Sequence, residues 1–106
     1  MSRRLPDSLV IDIAGEASVL MTMQEMSTAA QYRLPIKIFI LNNQYMGMVR
    51  QWQQFFHGRR YSATPIWSPD YVRLAEAYGI PGWRVDSAAQ VESVVREATA
   101  RLGPAL

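Results

Sequence analysis

The chain has no cysteine, a single lysine (Lys37) and a single histidine (His57) among its 106 residues. Without cysteine there are no disulfides, no thiol nucleophile and no Cys-ligated zinc, which fits a reducing compartment. No Ser/His/Asp constellation forms around His57, which is expected in a surface loop. No apolar run approaches the ~20 residues that span a bilayer. Arg3 and Arg4 are not followed by the apolar stretch of a secretory signal, so the expected location is the cytoplasm, with no membrane partner. Charge of one sign is also scarce: the net charge is +2, and Arg3-Arg4 and Arg59-Arg60 are isolated pairs rather than a basic block. Nucleic acid is therefore not an expected partner. There is no internal repeat and no low-complexity segment.

What remains is the composition of a small globular domain, 49% apolar and 19% charged. The β-branched run over 8–13 reads as a buried strand ending at Ala14-Gly15. Residues 17–32 read as a helix with Val19, Leu20, Met23, Met26, Ala29 and Ala30 on one face and Ser18 as its cap. Pro35 stops it, and the apolar run 36–41 is the clearest strand. A loop with Gly47 leads to a short amphipathic helix over 48–56. An irregular segment to Pro69 follows, long enough to suggest a lid or interface element. Further expectations are a helix over 70–78 stopped by Gly79, a short strand over 83–85, and a helix over 87–102. That last helix should be capped by Ser87, with Val91, Val94, Val95, Ala98 and Leu102 inward. Residues 103–106 read as the start of another strand.

Strand, helix and strand within so few residues make a right-handed parallel βαβ unit. Both strands are apolar, as expected of a parallel sheet buried on both faces. Ligands of open parallel sheets sit at the carboxyl ends of the strands. Glu16 follows the first strand, and Asn42-Asn43 follow the second. An acidic oxygen and an amide oxygen thus meet at one sheet edge, where they can share a hard cation that in turn holds a diphosphate. No Gly-x-Gly-x-x-Gly follows the first strand, which argues against a nicotinamide site. The methionines of the first helix are expected as core filler.

Gly15-Glu16-Ala17-Ser18 followed by Asn42-Asn43 resembles the thiamine-diphosphate signature, which usually begins Gly-Asp-Gly or Gly-Asp-Ala and ends Asn-Asn. Within that superfamily, Met21-Thr22-Met23-Gln24-Glu25-Met26 and Gly47-Met48-Val49-Arg50-Gln51-Trp52-Gln53 resemble the acetolactate synthase large catalytic subunit. Arg60-Tyr61-Ser62 and Leu74-Ala75-Glu76-Ala77-Tyr78-Gly79 extend the likeness, which covers roughly residues 7–106. The resemblance implies an α/β fold with a three-layer parallel sheet and flanking helices. It implies one partial thiamine-diphosphate-binding domain over 1–106, truncated at both ends.

It further implies magnesium ligands at Glu16 (aspartate in the family), at Asn43 and at the Tyr45 carbonyl. Cofactor contacts fall at Gly15, Glu16, Ala17, Ser18, Asn43, Tyr45, Gly47 and Met48, and a substrate channel at Val49, Trp52 and Phe56. The implied reaction decarboxylates pyruvate and condenses the remainder with a second 2-keto acid, in branched-chain amino acid (isoleucine and valine) biosynthesis. The family's cofactor-activating glutamate, its FAD-binding domain, its homo-oligomeric contacts and its regulatory subunit lie elsewhere, so no catalytic residue is assigned and the chain alone is expected to be inactive. The alternatives are another thiamine-diphosphate-dependent carboligase or decarboxylase, or a noncatalytic α/β module that has lost the metal site.

Overall fold

The computed structural model describes residues 8–106; the lead-in over 1–7, with Arg3, Arg4 and Pro6, lies outside the described residues. Two strands, β1 (Val10–Gly15) and β2 (Ile36–Leu41), pair in parallel from Val10↔Ile36 to Gly15↔Leu41. The crossover between them is helical, as a parallel pair requires. It consists of α1 (Glu16–Thr22) and α2 (Glu25–Gln31) instead of one continuous helix. Met23 and Gln24 keep right-handed helical angles, with ψ of −26° and −23°. The bonds across them, Met26 N–H to Met23 O and Ser27 N–H to Gln24 O, span three residues. The interruption is therefore a tightened 3₁₀ turn and not a change of direction. The Thr22 hydroxyl donates back to Ser18 O at 3.2 Å, a competition that bends helices at such points.

Three helices complete the chain: α3 (Gly47–Phe56), α4 (Tyr71–Ala77) and α5 (Ala88–Ala100). The Asp70 carboxylate starts α4 by accepting from Val72 N and Arg73 N at 3.0 and 3.2 Å. Gly79, at φ +71°, ends it in a left-handed conformation that suits glycine. Neither expected serine cap forms: α1 starts at Gly15 and α5 at Ser87 without a side-chain bond. At α5 the Gln90 carboxamide instead accepts from Asp86 N at 3.1 Å.

The third position in the sheet is taken from the chain's other end. Ala105 N donates to Ile36 O, Ile38 N donates to Ala105 O, and Lys37 bridges Ala105 in parallel. The expected strand over 83–85 does not form. The neighbouring stretch makes backbone bonds only to Leu106, Trp83 N donating to Leu106 O and Leu106 N donating to Pro81 O, and Pro81 has no N–H to extend a ladder.

Adjacent strand residues face opposite ways, and β2 shows what covers each side. Ile38 packs on the core cluster of Met26, Ala75 and Ile80. Lys37 turns to the other face, where its buried ammonium donates to Arg101 O at 2.9 Å and to Gly103 O, just beyond α5. The result is an α/β fold of parallel strands with flanking helices. Burial on both faces holds for the middle of β2 but not for β1, where Ile11 and Ile13 are exposed. Of the apolar face expected on α5, Ala98 is buried and Val94 partly so, while Val91, Val95 and Leu102 are exposed.

Lys37 carries a testable cost and benefit. Burial, with Arg101 nearby, lowers its pKa from the ordinary 10.5. Lys37→Met should cost about 2 kcal/mol at neutral pH, because two carbonyls lose their donor. The unfolded chain binds more protons at this site between the lowered folded value and 10.5, so the wild-type contribution grows with pH across that window. Urea denaturation at several pH values should show the gap between wild type and Lys37→Met widening toward the alkaline end.

Candidate functional site

The β1–β2 register ends both strands together, at Gly15 and Leu41. From that shared edge the chain continues directly into α1 through Glu16, and into a loop through Asn42 and Asn43. Glu16 is only 1% exposed, and its Oε1 has no hydrogen-bond partner. A buried carboxylate oxygen left unpaired is costly, and a cation is the partner whose chemistry fits it. Among the described residues no three His, Cys, Asp or Glu side chains cluster to hold a metal. Any cation at this edge therefore draws its other donors from amide and carbonyl oxygens and from its ligand.

The loop supplies such donors. Asn42 Oδ1 accepts from Gln44 N, and Asn43 Oδ1 accepts from Tyr45 N at 3.1 Å. These turns leave the second lone pair of the Asn43 oxygen free of the backbone bond. Gln44 between them is held at φ +63°, a strained conformation for a residue with a side chain.

The structure adds residues that the sequence pattern did not reveal. Tyr71 donates its hydroxyl to Glu16 O at 3.2 Å, and Ser68 donates to Asn42 Oδ1 at 3.2 Å. Burial raises the Tyr71 pKa above 10.0; a hydrogen bond with Ser68 works against this, and the Glu16 charge adds to it. A tyrosine at a helix start and a serine before a proline are too common to stand out, so nothing local marked them.

Downstream, α3 presents Met48, Val49, Trp52, Phe55 and Phe56 as exposed side chains, and no residue of this helix is buried. The Trp52 and Phe56 rings lie 5.5 Å apart, and a cleft of about 410 Å³ is bordered by Val49, Trp52, Gln53, His57 and Arg60. Gly15 and Ser18 border a different groove, of about 480 Å³, which runs along β1 and the first helices past Asp12 and Glu25. Gly47 is the first residue of α3, and no neighbouring atom lies within 4 Å of where its Cβ would stand.

Residues 1–106 match the family described as the thiamine pyrophosphate enzyme, C-terminal TPP binding domain. The chain belongs to that family. It is 48% identical over 103 residues to the acetolactate synthase large subunit of Porphyra purpurea, covering 95% of this chain and 18% of that protein. It is 48% identical over 101 residues to the mitochondrial acetolactate synthase catalytic subunit of Saccharomyces cerevisiae, covering 95% of this chain and 15% of that one. In structure it is similar to the thiamine diphosphate-dependent 4-hydroxybenzoylformate decarboxylase of Rhodococcus jostii RHA1. The TM-score is 0.92 at 30% identity, over 99% of this chain and 20% of that one. The chain thus spans less than a fifth of the length of these curated relatives. No helix among the described residues is long and apolar enough to cross a membrane.

The Tyr71 bond gives the site's own prediction. Tyr71→Phe should cost about 1 kcal/mol at neutral pH by removing the hydroxyl's hydrogen bond. A tyrosine with a raised folded pKa contributes its stability fully below 10.0 and loses it as pH rises through the folded value. The difference between wild type and variant in urea should therefore shrink above that pH.

Proposed function

We propose that this chain is the magnesium- and thiamine-diphosphate-binding part of an acetolactate synthase large subunit. The observation that carries the reading is Glu16: a buried carboxylate with an unpartnered oxygen, at the sheet edge from which Asn43 also departs. Glu16, Asn43 and the Tyr45 carbonyl are the oxygen donors assigned to Mg²⁺, a cation that takes oxygen ligands and retains water and phosphate oxygens. Glutamate at the family's aspartate position keeps the charge and the donor atom and adds one methylene. Gly15, Ala17 and Ser18 at the start of α1, with Gly47 and Met48 at the start of α3, are assigned to the cofactor.

When bound, thiamine diphosphate supplies the chemistry that decarboxylates pyruvate and joins the remaining two carbons to a second 2-keto acid. The chain's own part is to hold the diphosphate through the cation and to border the substrate path with Val49, Trp52 and Phe56. The exposed apolar face of α3 suits a site completed by neighbouring protein, such as a second copy of the enzyme. FAD and a regulatory subunit belong, in this reading, to the whole enzyme. Likeness to a keto acid decarboxylase supports the second reading, that of a 2-keto acid decarboxylase. The higher identity to the acetolactate synthases favours the first.

Calorimetric titration of thiamine diphosphate into the chain, with and without Mg²⁺, tests the proposal. Binding should require Mg²⁺, fall more than tenfold in Glu16→Ala and persist in Glu16→Asp. A folded wild-type chain that binds equally well without Mg²⁺, or not at all, would contradict it. Acetolactate formation from pyruvate is expected from the whole enzyme carrying this segment and not from the chain alone.

A further inference from the structure

Residues 60–68 have little regular structure, yet they lie as a strap against the loop over 42–46. Tyr45 and Pro65 form an antiparallel bridge, Met46 N donates to Thr64 O, and Ile66 N donates to Gln44 O, each bond 2.9 Å. Ser68 adds its bond to Asn42. One side chain of α3 ties the other side of the strap to the helix. The Gln53 carboxamide donates from Nε2 to Ser62 O at 2.8 Å and accepts Ser62 N at Oε1 at 3.0 Å, with the Thr64 hydroxyl on the same oxygen at 3.4 Å. Both lone pairs of that oxygen are thereby used. The carboxamide stands in for a strand, giving Ser62 the donor and acceptor that a ladder neighbour would give.

The arrangement holds strain in place. Gln44 in the loop and Ala63 in the strap both have positive φ, +63° and +55°, which such residues adopt only when their surroundings compel it. Thr64 between these contacts is fully buried. A second link runs parallel: the Arg50 guanidinium lies 4.3 Å from the Tyr45 ring centroid and 5.3 Å from that of Tyr61, joining loop and strap.

We infer that Gln53 is a positioning residue for the Asn43–Tyr45 turn, acting through the 62–66 strap. Its carboxamide fixes Ser62 and Thr64; the strap then fixes Gln44 and Met46, on either side of the Tyr45 carbonyl. The consequence for cation binding rests on the proposed role of Asn43 and Tyr45, whereas the coupling between strap and loop does not.

Two measurements on the chain separate these. Hydrogen exchange is followed by NMR in wild type, Gln53→Leu and Gln53→Glu, and Mn²⁺ binding is measured by EPR with saturating thiamine diphosphate. In Gln53→Leu the amides of Ser62, Tyr45, Met46 and Ile66 should exchange about tenfold faster, as expected for losing one to two net hydrogen bonds. The sheet amides of Ile38 and Ala105 should keep their wild-type rates. Mn²⁺ affinity should fall about tenfold as well, and Gln53→Glu, which retains the acceptor and loses the donor, should lie between the two. Loop amides that keep wild-type protection in Gln53→Leu would overturn the inference. So would equal acceleration in the sheet, or faster loop exchange with unchanged Mn²⁺ affinity. If the loop responds but the wild type binds no Mn²⁺ with the cofactor, the strap coupling stands and the cofactor reading fails.

Discussion

The parallel pairing of β1 with β2 is the constraint on which the rest depends. Its register runs from Val10↔Ile36 to Gly15↔Leu41, so both strands release the chain at one edge of the sheet. A slip of one residue would send every side chain of a strand to the opposite face. It would move Ile38 off the Met26–Ala75–Ile80 cluster and turn Lys37 away from the carbonyls beyond α5. The two faces of β2 are thus specified by different means, one by apolar packing and the other by a buried ammonium among carbonyl oxygens. Both lock the position of the Asn42–Asn43 exit relative to Glu16.

Several local conflicts gather at that edge and in the segments beside it. Glu16 is buried with an oxygen unpaired, Gln44 and Ala63 have positive φ, and α3 exposes aromatic rings to solvent. Local conflicts of this kind concentrate where a structure is shaped for a ligand instead of for its own stability. They persist because the surroundings over-determine them. The Asp70 cap places Tyr71 against the Glu16 carbonyl, and the Gln53 carboxamide and the stacked Arg50 pin the strap to the loop. The chain belongs to the thiamine pyrophosphate enzyme family, and the cation site proposed above would give this corner its chemical purpose.

Much of this was legible in the sequence wherever a signal was local. The run over 36–41, bounded by Pro35 and Asn42, matches β2 because an apolar β-branched stretch between two breakers has few alternatives. Glu16 and Asn43 share an edge because parallel topology alone requires it. Long-range polar contacts left no local mark. Nothing about Gln53 announces a bond to Ser62 nine positions on, and nothing about Lys37 announces burial against Arg101 and Gly103. The strand expected over 83–85 failed for the same reason, since a ladder depends on its neighbour, and Ala105 holds the place beside β2. Periodicity also overstated the inward face of α5: spacing places Val91, Val95 and Leu102 along one side of the helix but cannot say what covers them.

In the proposed reading, the buried Glu16 carboxylate is the protein's anionic ligand for a cation-bound diphosphate. The most direct measurement is the carbon-13 resonance of the Glu16 side-chain carboxyl, assigned by comparison with Glu16→Gln, as Mg²⁺ is added with thiamine diphosphate present. That resonance should shift, saturate with the cofactor and stay in place when either component is left out. A Glu16 resonance that stays in place while the cofactor binds would contradict it.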